Sequence, residues 1–342
     1  MKKRAVSVIV VNWNGRKWMS GCLRSLARQS FKNIEIIVVD NASTDGSVEY
    51  IQSHFPLVKI IQNTENEGFA KANNIGYEAS EGDYIFFLNN DTVVQSACIS
   101  ELVKLMRKSK DIGGVQSKIL LMDDKTRLDS IGAFLTPTGF LYHFRFSQKD
   151  IRKYNREIPL YTAKGASMMF SRSVLESIKV DGEIFDSMYF AYFEETDLCH
   201  RIWVSGKRIL YAPKAVVMHK MGATSGTMKN SLIQYHSFKN RIATYVKNLS
   251  LSKLLLILPF HILLCEGLAF ASLYQGNVSL WKAINMAIWW NMRMWNRTMM
   301  QRQYIQEHIR RLSDNTFYPA IMRYPSMRYY LSFFGGAHDY EE

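Results

Sequence analysis

The apolar run Tyr84-Ile-Phe-Phe-Leu88 ends in three consecutive oxygen-bearing side chains, Asn89, Asn90 and Asp91. Open α/β sheets hold ligands beyond the carboxyl ends of their strands. A carboxylate placed there beside a phosphate suits a hard divalent cation with oxygen ligands, although Asn and Asp also end strands simply by favouring turns. His219 closes a second apolar run, Ala215–Met218. Facing Asp91 it would be a nitrogen ligand to the same cation; otherwise it is a structural histidine. Glu194, Glu195 and Asp197 are three acids within four residues, preceded by the aromatic segment Met188-Tyr-Phe-Ala-Tyr-Phe193. Carboxylates packed beside rings are pushed toward higher pKa and can take a proton from a hydroxyl. The same acids would also suit a helix N-terminus.

Further polar groups stand just beyond the first two apolar runs: Asn12 and Asn14, then Asp40, Asn41 and Asp45. They could read a nucleoside's base and ribose, while turn formation and helix capping account equally well for Asn41, Ser43 and Asp45. In Asn66-Glu-Gly-Phe-Ala-Lys-Ala-Asn-Asn74, Gly68 falls at a helix start and Asn73 about a turn inside. Free N–H groups and the dipole at such a start favour a phosphate. Neither G-x-G-x-x-G after the first strand nor G-x-x-x-x-G-K-[ST] is present, so a dinucleotide fingerprint and a P-loop are unsupported.

Positioning these groups requires alternating strands and helices. Val6–Val11, Ile34–Val39, Val58–Ile61 and Tyr84–Leu88 read as buried strands; Arg16–Gln29, a segment through Val48 and Ile51, and Phe69–Glu78 read as helices. Continuous Val/Ile/Phe strands alternating with helices imply a mostly parallel, doubly wound sheet covered on both faces. Residues 125–160, with Thr-Pro-Thr-Gly139 and scattered charges, read as a long excursion. Regularity returns at Ala163–Ser171, at a helix near Arg172–Ile178, at a helix over Leu198–Val204, and at two edge strands, Ile209–Ala212 and Ala215–Met218.

Composition changes along the chain. Residues 1–200 hold 25 Lys/Arg against 24 Asp/Glu, but residues 201–342 hold 18 against 6, so nearly all of the net charge of +13 lies in the second part. Its basic residues are interleaved with apolar and aromatic stretches, which favours an anionic membrane surface over nucleic acid. Residues 254–273 have the length of a membrane span but contain Pro259, His261, Glu266 and Gly267. They therefore read as an interfacial or re-entrant helical pair, with Trp281, Trp289, Trp290 and Trp295 near headgroups and Arg293, Arg297 and Arg302 on lipid phosphate. A soluble helical subdomain or a homodimer interface is the alternative. Two regions are thus expected, 1–230 catalytic and 231–342 membrane-associating, with a cut near Ser250 releasing the first from membranes. Met1-Lys-Lys-Arg4 with its short apolar run lacks a signal peptide's length and cleavage site. The four well-separated cysteines suggest reduced thiols, with neither a zinc site nor a disulfide framework.

The order of motifs resembles the family 2 glycosyltransferases of GT-A type, in particular the bacterial rhamnosyltransferase-like branch. The matching segments are Val-Ile-Val-Val-Asn-Trp-Asn14, Cys22-Leu-Arg-Ser-Leu26, Val38-Val-Asp-Asn-Ala-Ser-Thr-Asp-Gly46, Asn66-Glu-Gly-Phe-Ala70, Phe87-Leu-Asn-Asn-Asp-Thr92, Lys164-Gly-Ala-Ser167, Tyr192-Phe-Glu-Glu-Thr-Asp-Leu198 and His219. The resemblance implies that Asp91 is the principal ligand of Mg²⁺ or Mn²⁺, in a D-x-D position where Asn89 replaces the usual acid, and that His219 is a second ligand. It puts Asp40 on the nucleotide base, with Asn12, Asn14, Asn41, Gly68, Asn73, Asn90 and Gly165 around the nucleotide sugar. Glu195 stands at the catalytic-base position, where this branch usually has Asp after Glu, which leaves Glu195 and Asp197 as alternatives beside Glu194. The implied activity is inverting, metal-dependent transfer of a sugar, L-rhamnose from dTDP-rhamnose in this branch, to a lipid-linked (polyprenyl-diphosphate) saccharide. The implied place is the cytosolic face of a bacterial plasma membrane, in cell-envelope polysaccharide synthesis. A polyprenyl-phosphate glycosyltransferase or a non-catalytic nucleotide-sugar binding protein are the alternatives.

Overall fold

A computed structural model describes residues 5–222, 230–327 and 329–330; the Met1–Arg4 segment lies outside them. Four strands form the first half of the sheet: β1 (Val6–Asn12), β2 (Ile34–Asp40), β3 (Lys59–Gln62) and β4 (Tyr84–Asn89). All are parallel, with β1 between β2 and β4 and with β3 outside β2. The register sets Asn12 opposite Asp40 and Val11 opposite Asn89, so the polar strand ends meet at one edge. Helices α1 (Arg16–Ala27), α2 (Ser47–His54) and α3 (Gly68–Glu78) connect these strands; the spacing of Trp18, Cys22, Leu23 and Leu26 predicts α1, whose buried face is Met19, Cys22, Leu23 and Leu26. The doubly wound reading holds for this half.

The second half is mixed rather than mostly parallel. After the short β5 (Thr92–Val94) and α4 (Cys98–Met106), the ten-residue strand β6 (Ile112–Leu121) enters the sheet. The full order is β3-β2-β1-β4-β9-β6-β10-β5, where β9 (Ser167–Ser171) runs antiparallel to both β4 and β6. The two expected edge strands are a single interior one, β10 (Arg208–His219), paired with β6 and β5 and shifted in register between Ala212 and Val216. Helices α5 (Arg172–Ser177) and α6 (Glu194–Val204) flank it. Residues 125–160 are no surface excursion. They form the hairpin β7 (Ala133–Leu135) and β8 (Leu141–His143), and Leu128, Ile131, Phe134, Leu135 and Leu160 lie in the main core.

The remaining chain forms α7 (Asn230–Asn248), α8 (Leu251–Tyr274), α9 (Val278–Arg293), α10 (Trp295–Tyr304) and α11 (Asp314–Ile321). Residues 254–273 are thus one continuous helix and not a pair. Pro259 costs one backbone hydrogen bond within it but does not end it. Two arginines expected on lipid phosphate are engaged by the protein itself. Arg302 donates to the carbonyls of Val246 (2.5 Å) and Leu249 (2.7 Å), which the end of α7 leaves without helical partners. Arg297 pairs with both carboxylate oxygens of Asp186 at 3.1 and 3.0 Å. Packing crosses the 230/231 boundary, for Ile305, Ile309, Phe317 and Ile321 share one core with Ile9 and Phe87.

Candidate active site

A cavity of about 230 Å³ opens at the carboxyl ends of β4, β6 and β10, lined by Asn89, Asp91, Ser130, His143, Lys164, Gly165, Glu194, Glu195 and His219, with Phe69, Tyr192 and Phe193 as aromatic wall. Its floor is an acid–imidazole–acid row. His219 Nε2 lies 3.3 Å from Asp91 Oδ1, and His219 Nδ1 lies 2.7 Å from Asp129 Oδ2. Lys164 donates to the other oxygen of Asp129. All three members of the row are buried. Burial would raise the Asp129 carboxyl, but the Lys164 charge and the His219 hydrogen bond outweigh it and hold it well below the usual carboxylate range. Burial would lower His219, yet its hydrogen bond to Asp129 and the nearby Asp91 carboxylate raise it to about 9. Binding of a cation there would release that proton.

Asp91 and His219 therefore meet as expected. Asp129 was not singled out in the sequence, since it sits among the scattered charges of 125–160. Its signal would have been position: Asp129 N–H donates to Ile119 O (2.8 Å) on β6, which fixes its side chain beside the strand ends.

Glu194 and Glu195 enter the cavity from the first turn of α6, whose entry is strained. Phe190, Tyr192 and Phe193 have φ of 65°, 69° and 70°, a left-handed conformation costing bulky residues roughly 1–3 kcal/mol each. The loop is held from two sides. Asn240 Nδ2 of α7 reaches the carbonyls of Tyr189 (3.1 Å), Ala191 (2.9 Å) and Tyr192 (2.6 Å). The N–H groups of Phe69 and Ala70 both donate to Phe190 O, at 2.6 and 3.1 Å. Strain kept by such over-determination is characteristic of functional loops.

This arrangement corrects the phosphate site expected at Gly68. The first N–H groups of α3 are engaged, Gly68 by Asn66 Oδ1 (3.0 Å) and the next two by Phe190 O. Gly68 has φ +78°, and a Cβ there would lie 2.5 Å from Phe190 O. Its role is close backbone approach. Asn73 is buried inside α3 and donates to Phe69 O (2.9 Å); it does not line the cavity. Asp197 is also turned away, and it pairs with Arg201 (3.0 Å) and Lys247 (3.1 Å) and accepts from Asn248 (2.7 Å). Burial would raise this carboxyl, but the two cations lower it. It is a structural charge.

The groups beyond β1 and β2 form a neighbouring cluster. Asn12 donates to Asp40 Oδ1 (2.7 Å) and Ser47 (2.9 Å), and accepts from Asn90 (3.0 Å). Asp40 Oδ2 accepts from Ser43 N–H (2.9 Å), and Asn14 Oδ1 from Thr44 N–H (2.8 Å). Asn41 bonds to Asn63 and to Gly68 O. These bonds lock the loops after β1, β2 and β3 to each other. Of the residues expected to bind a nucleotide sugar, only Gly165 lines the cavity itself.

Residues 7–179 match the model of glycosyl transferase family 2. The chain belongs to this family. Curated relatives include the glycosyltransferase GlyG of Streptococcus pneumoniae, 31% identical over 31% of this chain and 37% of the relative. Another is the putative teichuronic acid biosynthesis glycosyltransferase TuaG of Bacillus subtilis, 28% identical over 37% of this chain and 52% of the relative. The matched stretch thus spans about half or less of their length. Solved structures with the same fold include Staphylococcus aureus TarS 1–349 in complex with UDP-GlcNAc, with a TM-score of 0.57 at 16% identity over 88% of this chain and 87% of that one. GalNAc-T7 with UDP, GalNAc and Mn²⁺ gives 0.55 at 17% identity over 72% and 48%. These likenesses establish the GT-A type fold for this family 2 chain.

The residues fit a divalent cation. Asp91 Oδ1 is buried without a hydrogen-bond partner, and its 3.3 Å separation from His219 Nε2 is close to the roughly 3 Å between adjacent ligands of one octahedral ion. Among the described residues no cluster of three or more His, Cys, Asp or Glu could hold a metal alone. Mg²⁺ usually takes one or two protein groups and completes its shell with substrate phosphate and water. Asn89, the third expected ligand, lines the same cavity.

Proposed function

We propose that this family 2 chain is an inverting, metal-dependent glycosyltransferase using a nucleotide-diphosphate sugar. The observation carrying this reading is that Asp91, His219 and Glu195 line one cavity at the carboxyl edge of the sheet. A cation on Asp91 and His219 would neutralise charge on the leaving diphosphate. Glu195 would accept the proton of an acceptor hydroxyl as its oxygen attacks the anomeric carbon opposite the leaving group, and one such displacement inverts that centre. Phe69, Tyr192 and Phe193 limit water around the reacting atoms. Asp40 and Asn12 would hold the nucleoside in the adjoining loops.

The acceptor we propose is a lipid-linked saccharide on polyprenyl diphosphate, reached from the cytosolic face of a bacterial plasma membrane during envelope polysaccharide synthesis. The support is α8, long and apolar enough to cross a membrane. Its outward face carries Leu255 (66% exposed), Leu256 (67%), Phe260, Leu263 (67%) and Phe270 (64%), and Trp289 and Met292 of α9 extend it. An apolar face of this extent calls for a covering surface. Resemblance to the rhamnosyltransferase branch makes dTDP-L-rhamnose the first donor to try, while the TarS structure in complex with UDP-GlcNAc adds UDP-sugars.

Detergent-solubilised full-length chain should release nucleoside diphosphate from dTDP-rhamnose or UDP-GlcNAc only with Mn²⁺ or Mg²⁺, and Asp91→Ala should abolish release. Metal-independent release, or release unchanged in Asp91→Ala, refutes the mechanism. The chain should also float with phosphatidylglycerol vesicles and lose that binding in Leu256→Glu/Leu263→Glu.

A further inference from the structure

We infer that Asp129 is a positioning residue for the cation site, holding His219 in the orientation and tautomer that turns Nε2 toward Asp91. This rests on the metal-dependent reading above. Asp129 is fully buried, and its two oxygens do different things. Oδ2 accepts from His219 Nδ1 at 2.7 Å, and Oδ1 accepts from Lys164 Nζ. An imidazole carries one proton in its neutral form, so a proton kept on Nδ1 leaves the Nε2 lone pair for a cation. Nε2 stands 3.3 Å from Asp91 Oδ1, the buried oxygen without a hydrogen-bond partner. Lys164 offsets the carboxylate charge, which would otherwise be costly to bury.

The backbone makes the aim rigid. Asp129 N–H is held by Ile119 O at 2.8 Å and Asp129 O by Ser147 N–H at 3.2 Å. His219 is fixed by its pairing to Leu121 of β6 and Thr92 of β5. A carboxylate behind a ligating histidine orients the ring and raises its basicity, and its loss typically weakens metal affinity by about 10–100-fold. The competing role is a staple in which the Asp129–Lys164 pair merely ties the hairpin region to the Lys164–Gly165 turn.

A double-mutant cycle read by Mn²⁺ binding separates the two. Mn²⁺ is titrated into the full-length chain in the presence of UDP or dTDP, with free ion followed by electron paramagnetic resonance against a nucleotide-only control, for wild type, Asp129→Asn, His219→Ala and the double variant. The expected result is about 10–100-fold weaker binding in Asp129→Asn and less than about twofold further loss when it is added to His219→Ala. Wild-type affinity in Asp129→Asn, or an undiminished effect in the His219→Ala background, overturns the inference. Absence of Mn²⁺ binding by wild type would instead refute the cation reading itself. Should Asp129→Asn fail to fold, nitrogen-15 spectra of the His219 ring in Mg²⁺-loaded wild type decide. Protonation at Nδ1 is expected, and protonation at Nε2 overturns the inference.

Discussion

Glu195→Gln and Asp197→Asn remove one charge each, two residues apart on α6, and should fail in opposite ways. Asp197 is buried between Arg201 at 3.0 Å and Lys247 at 3.1 Å, with Asn248 donating to it. Deleting one member of a buried ion network leaves uncompensated charge and costs about 3–5 kcal/mol. Asp197→Asn should therefore lose that much in urea-unfolding free energy while the molecules that remain folded keep their turnover. Glu195 lines the cavity and is half-buried, so Glu195→Gln should change stability by less than about 1 kcal/mol. Loss of a general base costs on the order of 10²–10⁴ in rate, or about 3–5.5 kcal/mol of barrier. The assay is nucleoside diphosphate release with acceptor present, beside urea melts on the same preparations. A stable but inactive Asp197→Asn, or a Glu195→Gln with near wild-type turnover, would refute the assignment.

Acid should unfold the chain through its buried carboxylates. Burial would raise Asp186, but Lys247 and Arg297 lower it, and Asp197 is lowered likewise. Depressed folded-state values mean that this stability is complete above the ordinary carboxylate pKa of about 4 and is lost as pH falls below it, which circular dichroism during an acid titration would register. Gly15→Ala should disturb the loop after β1, since a Cβ there would lie 2.1 Å from Asn90 Nδ2 and 2.4 Å from Asn12 Oδ1. A loss of about 1–3 kcal/mol together with weaker nucleotide binding by calorimetry is expected. Asn240→Leu should release the strained Phe190–Phe193 loop and lower kcat more than KM, whereas an unchanged kcat would separate that loop from catalysis.

The strand ends were legible because β1, β2 and β4 end in apolar runs, Val8–Val11, Ile36–Val39 and Tyr84–Leu88, that stop at polar residues, and parallel pairing then brings those ends to one edge. Asp91 and His219 followed from that rule. The hairpin was not legible, because its strands are only three residues long and are buried by distant elements, as where His261 of α8 bonds Thr138 O at 3.0 Å. Asp129 was hidden for the same reason. The start of α3 misled, since a helix terminus shows in sequence but the carbonyl that fills it, Phe190 O, arrives from more than a hundred residues away. Arg297 and Arg302 looked like headgroup ligands because charge in an apolar tail carries no mark of the buried partner it will meet.

The shared core of the two halves has a consequence for how the chain is made. Ile305, Ile309, Phe317 and Ile321 complete the packing around Ile9, Phe87 and Leu254, and Arg302 and Arg310 seal the end of α7. During synthesis α8, which ends at Tyr274, is made before Arg302 and the core residues Ile305, Ile309, Phe317 and Ile321. A 24-residue apolar helix is then offered to its surroundings while the domain beside it is still open. A stop codon placed before Ile305 would therefore remove Ile305, Ile309, Phe317 and Ile321 from the core they share with Ile9 and Phe87 along with the tail.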